Sequence, residues 1–163
     1  QARARARSRP PHGGRLSYDV TLGPDLIEVR PDLRLDFADP HADVALRHAA
    51  FRIPSGGFVI APGRFYLGHT AEVCGSRVYA CTLHADRSAA SLGLWIHVSA
   101  ELGHAGAEVQ WTLEIRAAAP VRVRAGMKIG KVAFWPQAGE PAPYAGGYGK
   151  QTGPTPSKGS ARL

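Results

Sequence analysis

The sequence predicts an all-β domain, a sandwich or barrel of many short strands. Three observations carry this. The 163 residues include 19 Gly and 13 Pro, and that pairing favours short strands joined by tight turns over long helices. Residues 108–115 alternate, with Val109, Trp111, Leu113 and Ile115 on one face and Glu108, Gln110, Thr112 and Glu114 on the other. A period of two is that of a half-buried strand. Most other apolar runs are equally short, and several are bounded by Pro or Gly. The length suits one domain with a real core. A hydrophobic content of 44% with 20% charged residues is ordinary for a globular chain.

In chain order, residues 1–15 read as a basic flexible arm, residues 16–135 as the β domain, and residues 136–163 as a Gly/Pro/Tyr-rich tail without periodicity. Within the domain, Ser17–Gly23 is β-like. Leu26–Arg30 and Leu33–Phe37 are alternating runs separated by the turn signal Pro31-Asp32. Residues 38–50 are rich in Ala, His and Asp and read as a loop or short helix. Gly57–Ile60 is a strand that enters an Ala61-Pro62-Gly63 turn, and Arg64–His69 resumes as a strand. Arg77–Leu83 is another strand, and Ser88–Gly93 supplies one or two helical turns. Leu94–Val98 reads as a buried strand. Residues 108–115, Val121–Arg124 and Ile129–Trp135 complete the set.

The net charge of +7 is unevenly placed. Arg3, Arg5, Arg7, Arg9 and Arg15 precede any acidic residue, and the remainder is close to neutral. An Ala-Arg repeat could contact phosphates, but it lacks aromatic residues for base stacking, so nucleic acid is not an expected partner. No apolar run approaches the ~20 residues of a membrane span, and no signal core is evident, so a cytoplasmic protein is expected. Cys74 and Cys81 have neither CxxC spacing nor a second pair, which predicts two reduced thiols on or near strands. His41 and His48 are too isolated to make a metal site. His97, mid-strand, is expected to pack, and Trp95, Trp111 and Trp135 to serve the core or an interface, with an apolar pocket as a further place for one of them.

Four separated motifs occur in a telling order. They are Ser17-Tyr18-Asp19-Val20-Thr21-Leu22-Gly23, the stretch Phe58–Val73, the run Leu92–Ala100 followed by Glu114 and Arg124–Gly130, and the tail Gln151–Lys158. Together, over about residues 16–158, the chain resembles the dCTP deaminase branch of the dCTP deaminase/dUTPase superfamily. The resemblance implies a distorted jelly-roll-like β-barrel that assembles as a homotrimer. It also implies active sites between subunits and a C-terminal tail that folds over the ligand as a lid.

The departures from the family pattern bear on function. The family's Gly-Arg-Ser-Ser-x-x-Arg motif falls on Ala85–Ser91, so a phosphate-binding Arg becomes Asp86, the first Ser becomes Arg87 and the second Arg becomes Ser91, while Ser88 is kept. An Arg-x-Asp-Pro-Gly segment falls on Leu102–Gly106, with His104 in place of Asp. A tail lysine falls on Gly147. The Ala100-to-Glu114 interval is preserved, which puts Glu114 at the family's catalytic glutamate. The resemblance therefore implies a site with Glu114 as general acid/base, Arg87 as a donor to an anionic or carbonyl oxygen and His104 as a second proton-transfer group. Asp86, Ser88, Ser91, Ala100, Tyr144, Tyr148 and Gln151 would bind substrate. Asp86 beside Arg87 also reads as a simple surface ion pair. With the phosphate donors lost, the expected substrate is a small molecule other than a triphosphate. The alternatives are a divergent deaminase or diphosphatase of pyrimidine deoxynucleotides and a non-catalytic binding protein. No cofactor is expected, and magnesium only for a nucleotide substrate. The expected partners are the chain itself, as a trimer, and a small molecule.

Overall fold

In the computed structural model the described residues are 3–5, 17–29, 50–140 and 142–158. They form β1 (Arg3–Arg5), β2 (Ser17–Thr21), β3 (Asp25–Val29), β4 (Ala50–Arg52), β5 (Phe58–Ile60), β6 (Phe65–His69), β7 (Val73–Gly75) and β8 (Ala80–Ala85). The short helix α1 (Arg87–Ser91) follows. Then come β9 (Leu94–Trp95), β10 (Leu102–Gly103), β11 (Glu108–Val109), β12 (Thr112–Ala117), β13 (Val121–Val123) and β14 (Lys128–Trp135). One sheet has the order β10-β8-β14-β2 and another β4-β3-β6-β12-β9. Smaller sheets pair β1-β7-β11 and β13-β5. The sheets wrap one core, in which Val20, Leu26, Ile60, Leu83, Leu113 and Val132 are buried. The architecture is the distorted jelly-roll-like barrel.

The alternation in residues 108–115 holds through a break. Val109, Trp111, Leu113 and Ile115 are all buried, but the run is two strands, because the chain crosses from one sheet to another at Gln110-Trp111. β11 pairs with β7 and β12 with β6. Thr70 and Trp111 cover the gap. The Thr70 N–H donates to the Trp111 carbonyl at 2.9 Å, and the Trp111 N–H donates to Thr70 Oγ1 at 2.9 Å. The strand thus changes sheets without leaving buried backbone groups unpaired.

Two strands are shorter than the sequence predicts. Leu94–Val98 is a strand only at Leu94–Trp95, because the N–H groups of Val98 and Ser99 donate to the Glu114 carboxylate and not to a ladder. The strand expected from Arg77 begins at Ala80, because the Val78 and Tyr79 N–H groups both donate to Ser76 Oγ in a local turn. Arg64 N–H closes the expected 61–64 turn on the Ala61 carbonyl at 3.3 Å, with Gly63 at φ 75°. Of the basic arm, Arg3–Arg5 pairs parallel with β7. The rest of the arm, the Leu33–Phe37 run, the 38–49 segment and its His41 and His48 lie outside the described residues. Among the described residues no helix is long and apolar enough to cross a membrane.

Candidate functional site

The outer face of the five-stranded sheet is not uniformly polar. Ile27 on β3 and Leu67 on β6 are cross-strand partners, as are Val29 and Phe65, and the four form a second apolar cluster outside the main core. Thr112 and Glu114 belong to the same face, since Glu114 is registered against Leu67. The tail runs alongside this strand. Gln110 N–H donates to the Gln151 carbonyl at 3.3 Å, Gly153 N–H to Gln110 Oε1 at 2.8 Å, and Thr155 N–H to Thr112 Oγ1 at 3.2 Å. Between sheet and tail lies a pocket of about 620 Å³, within the range of small-molecule sites.

Of the residues singled out from the sequence, Glu114, His104, Ala100, Tyr144, Tyr148 and Gln151 line this pocket. Asp86, Arg87, Ser88 and Ser91 are not among its lining residues. They lie on or beside α1, where Arg87, Ser88 and Ser91 are exposed. Sequence reasoning missed the apolar wall of Phe65, Leu67 and Val109, and it missed Thr112. The signal for Thr112 was available, because it precedes Glu114 by two on the polar face. Trp111 is buried and lines the pocket, whereas Trp95 and Trp135 are each 52% exposed.

Glu114 is anchored. Its Oε2 accepts from Val98 N–H at 2.6 Å and Ser99 N–H at 2.9 Å, and its own N–H donates to the Ile96 carbonyl at 2.8 Å. The carboxylate therefore fixes the loop that carries Ala100. His104 stacks flat on Tyr144, with ring centroids 5.3 Å apart and planes 2° from parallel. Beside them the Tyr144 N–H donates to the Ala105 carbonyl at 2.8 Å, so this pair ties the tail to the β10–β11 loop. Gln151 Nε2 reaches the Gln110 carbonyl and Thr112 Oγ1, both at 3.4 Å. Its Oε1 is buried with no partner. Among the described residues that line the pocket, Glu114 is the one acidic side chain, and none is Lys or Arg.

The expected Asp86–Arg87 ion pair gives way to a different arrangement. Asp86 Oδ2 accepts from Ser88 N–H at 3.1 Å and caps α1. Its Oδ1 lies 3.1 Å from Lys128 Nζ and 3.8 Å from Lys131 Nζ. Both lysines also hold Asp19, at 3.2 and 2.7 Å. The Lys128 ammonium, then the Ser88 N–H, hold the Asp86 carboxyl below the usual carboxylate range. Two acids and two lysines thus neutralise one another beside the start of α1.

The remaining reactive groups are accounted for by packing. Cys74 and Cys81 are free and buried, and burial pushes each thiol up to about 12. His69 is buried. Its Nδ1 lies 3.0 Å from the Thr70 carbonyl, and the Asp25 N–H donates to its Nε2 at 3.4 Å, which fits a neutral ring. His97 is half-buried and meets Glu101 at 3.3 Å. Among the described residues no group of three or more His, Cys, Asp or Glu is placed to hold a metal.

Comparison with known proteins agrees with this picture. The family profile described as dCTP deaminase-like matches residues 4–137. The dCTP deaminase of Rhodopirellula baltica is 32% identical over 124 residues, covering 76% of this chain and 60% of that protein. The dUMP-forming dCTP deaminase of Clostridium beijerinckii is 32% identical over 142 residues, covering 86% and 79%. In structure, the chain superposes on the 2'-deoxycytidine 5'-triphosphate deaminase of Agrobacterium tumefaciens with a TM-score of 0.57 at 20% identity, over 79% of this chain and 42% of that one. The chain therefore spans less than two thirds of two of these proteins, 60% of one and 42% of the other. With the profile covering most of the chain and relatives at 32% identity, the chain belongs to the dCTP deaminase-like family.

Proposed function

We propose that this chain is an enzyme that uses the dCTP deaminase scaffold on a small molecule carrying little negative charge, with Glu114 as general acid/base. The observation that carries the reading is the pocket lining: apolar side chains, hydroxyls, an amide and the His104 ring around one carboxylate, with no Lys or Arg among the described residues. A triphosphate needs several cationic donors, and at an effective dielectric near 20 each close like-charge pair costs about 4 kcal/mol. The Asp86 position offers no remedy, because its two lysines are already matched by two acids.

The mechanism follows from how Glu114 is held. Oε2 is committed to Val98 and Ser99, so Oε1 is the oxygen that takes a proton from a ligand or water and returns it. The apolar walls limit water around that exchange and strengthen its electrostatics. In this reading the chain forms a homotrimer, and the Asp86–Ser91 segment of a second copy reaches the pocket rim and brings Arg87 as a donor. The tail from Tyr144 to Ser157 acts as the lid.

A second reading has its own observation. Lys158 Nζ bonds the Gly147 carbonyl and lies 4.9 Å from the Tyr148 ring centroid. It thus returns a cation in space to the position where the family's tail lysine is absent, as a divergent deoxynucleotide deaminase would require. Assays of dCTP and dUTP with magnesium separate the two. The first reading expects neither uracil nucleotide nor pyrophosphate to form, and robust formation of either removes it. Light scattering tests the trimer, which a monomer at micromolar concentration would exclude.

A further inference from the structure

We infer that His69 is a proton-operated seat for the tail: with the ring neutral the tail rests against β12, and protonation at Nε2 displaces Asp25 and releases it. This goes beyond the reading of the pocket and does not depend on what the pocket binds. His69 is 3% exposed and stands in a row across the outer face of the five-stranded sheet. Thr112 is its registered partner on β12. Asp25 flanks it on β3, two residues along from the Ile27–Leu67 pair. The tail meets both neighbours. Thr155 N–H donates to Thr112 Oγ1, and Pro154 shares a shallow cleft with Asp25, Phe51 and Arg52.

The partners of the ring fix its tautomer. The Thr70 carbonyl can only accept, so Nδ1, at 3.0 Å, carries the hydrogen. Nε2 is then the acceptor that takes the Asp25 N–H at 3.4 Å. A second proton sets two donors face to face. The ring has no room to turn aside, because it lies against the Gly23 backbone, where even a Cβ would overlap Cε1, Nε2 and Nδ1. Relief comes from Asp25. Its N–H gives way, and its carboxylate, with Oδ2 at 3.7 Å from Nε2, swings in. That movement reshapes the cleft that holds Pro154. Among the described residues, Asp25 is the charged group that faces the ring. Arg52, the cross-strand partner of Asp25, is exposed, the Glu72 carboxylate is taken up by Thr21, and β12 presents the neutral Thr112. Burial already holds the ring below its ordinary 6.5. The seated form therefore binds fewer protons, and falling pH favours release.

The test is two-dimensional NMR of the full chain across a pH titration, with ring and amide signals assigned through the backbone. The His69 ring should titrate below 6.5, and the Gly153 and Thr155 amides should move with the same midpoint. His69→Gln should abolish that movement. His104, stacked on Tyr144 where the tail leaves the β10–β11 loop, is the rival origin, and His104→Gln should leave the movement in place. Coupling between two equilibria is reciprocal. Thr155→Pro, which deletes the N–H bonded to Thr112, should therefore raise the His69 midpoint toward 6.5. Amides that stay still through the His69 transition would overturn the inference. So would a movement that survives His69→Gln or vanishes with His104→Gln, or an unchanged His69 midpoint in Thr155→Pro. The unsubstituted chain and Thr155→Pro carry readouts of their own, so a His69→Gln chain that fails to fold leaves the test decisive.

Discussion

Replacing Glu114 in two ways separates its two jobs. Its carboxylate holds the Val98 and Ser99 N–H groups at 2.6 and 2.9 Å. Two hydrogen bonds to a charged acceptor are worth about 1.5–3 kcal/mol each where water cannot substitute. Val98 and Ser99 are exposed, so water recovers much of that in a truncated side chain, and Glu114→Ala should cost about 1–2 kcal/mol in all. Glu114→Gln keeps an oxygen at the same reach and loses only the charge assistance, about half as much. For a chain of this size 1 kcal/mol moves Tm by about 2–4 °C. The expected drops are then about 2–8 °C for Ala and about 1–4 °C for Gln, with Gln the smaller in a side-by-side melt. Turnover should behave differently. Both variants remove the titrating group, so both should lose about 10²- to 10⁴-fold in kcat on the true substrate. A Glu114→Ala melt no lower than that of Glu114→Gln would show that the carboxylate does not hold the loop. A Glu114→Gln enzyme at full rate would show that it moves no proton.

Three further outcomes are expected. Gly103→Ala places a Cβ 2.6 Å from the Trp111 ring and 2.7 Å from Cys81 Sγ; this overpacking should cost about 1–3 kcal/mol, read as a lower urea midpoint, and an unchanged midpoint would mean the wall yields freely. Burial lowers the His69 pKa from its ordinary 6.5, so the folded chain binds fewer protons than the unfolded one. The stability this contributes is fully present above about 6.5 and is lost as pH falls through the lowered folded value; His69→Gln should flatten that loss in urea titrations across the interval, and an equally steep loss in the variant would place its origin elsewhere. The Cys74 and Cys81 thiols, pushed up to about 12, should resist iodoacetamide at pH 8 in the native chain and react in denaturant, as counted by mass spectrometry; prompt native labelling would contradict their burial.

The sequence made some features legible because they are local. Alternation alone marked Trp111, Leu113 and Ile115 as buried and Glu114 as pointing away from them, and the family interval marked Glu114 as the residue of interest. Asp86 was equally visible as a charge reversal, but its partner Lys128 lies on β14, brought alongside by the pairing of β14 with β8. No local pattern announces that pairing. The tail was the least legible segment. It lacks periodicity because its position is set by single bonds from backbone N–H groups to Gln110 and Thr112, more than 40 residues away. The shortened Leu94–Trp95 strand has the same origin, since a carboxylate on another strand takes the N–H groups that would have extended it.

The strand that carries Glu114 is held along both edges, by β6 on one side and β9 on the other, and its odd-numbered side chains are locked in the core. Successive letters of one six-residue word thus answer to different demands. Leu113, Ile115 and Ala117 answer to the core, while Thr112 and Glu114 hold the tail and the Val98–Ser99 loop and face the pocket. The opposite wall belongs to a tail with no strand among its described residues, attached through a handful of polar contacts. Such a division lets ligand preference drift by rewriting the tail and the β10–β11 loop while the barrel stays intact. A lineage built this way can exchange one small molecule for another without having to reinvent the fold.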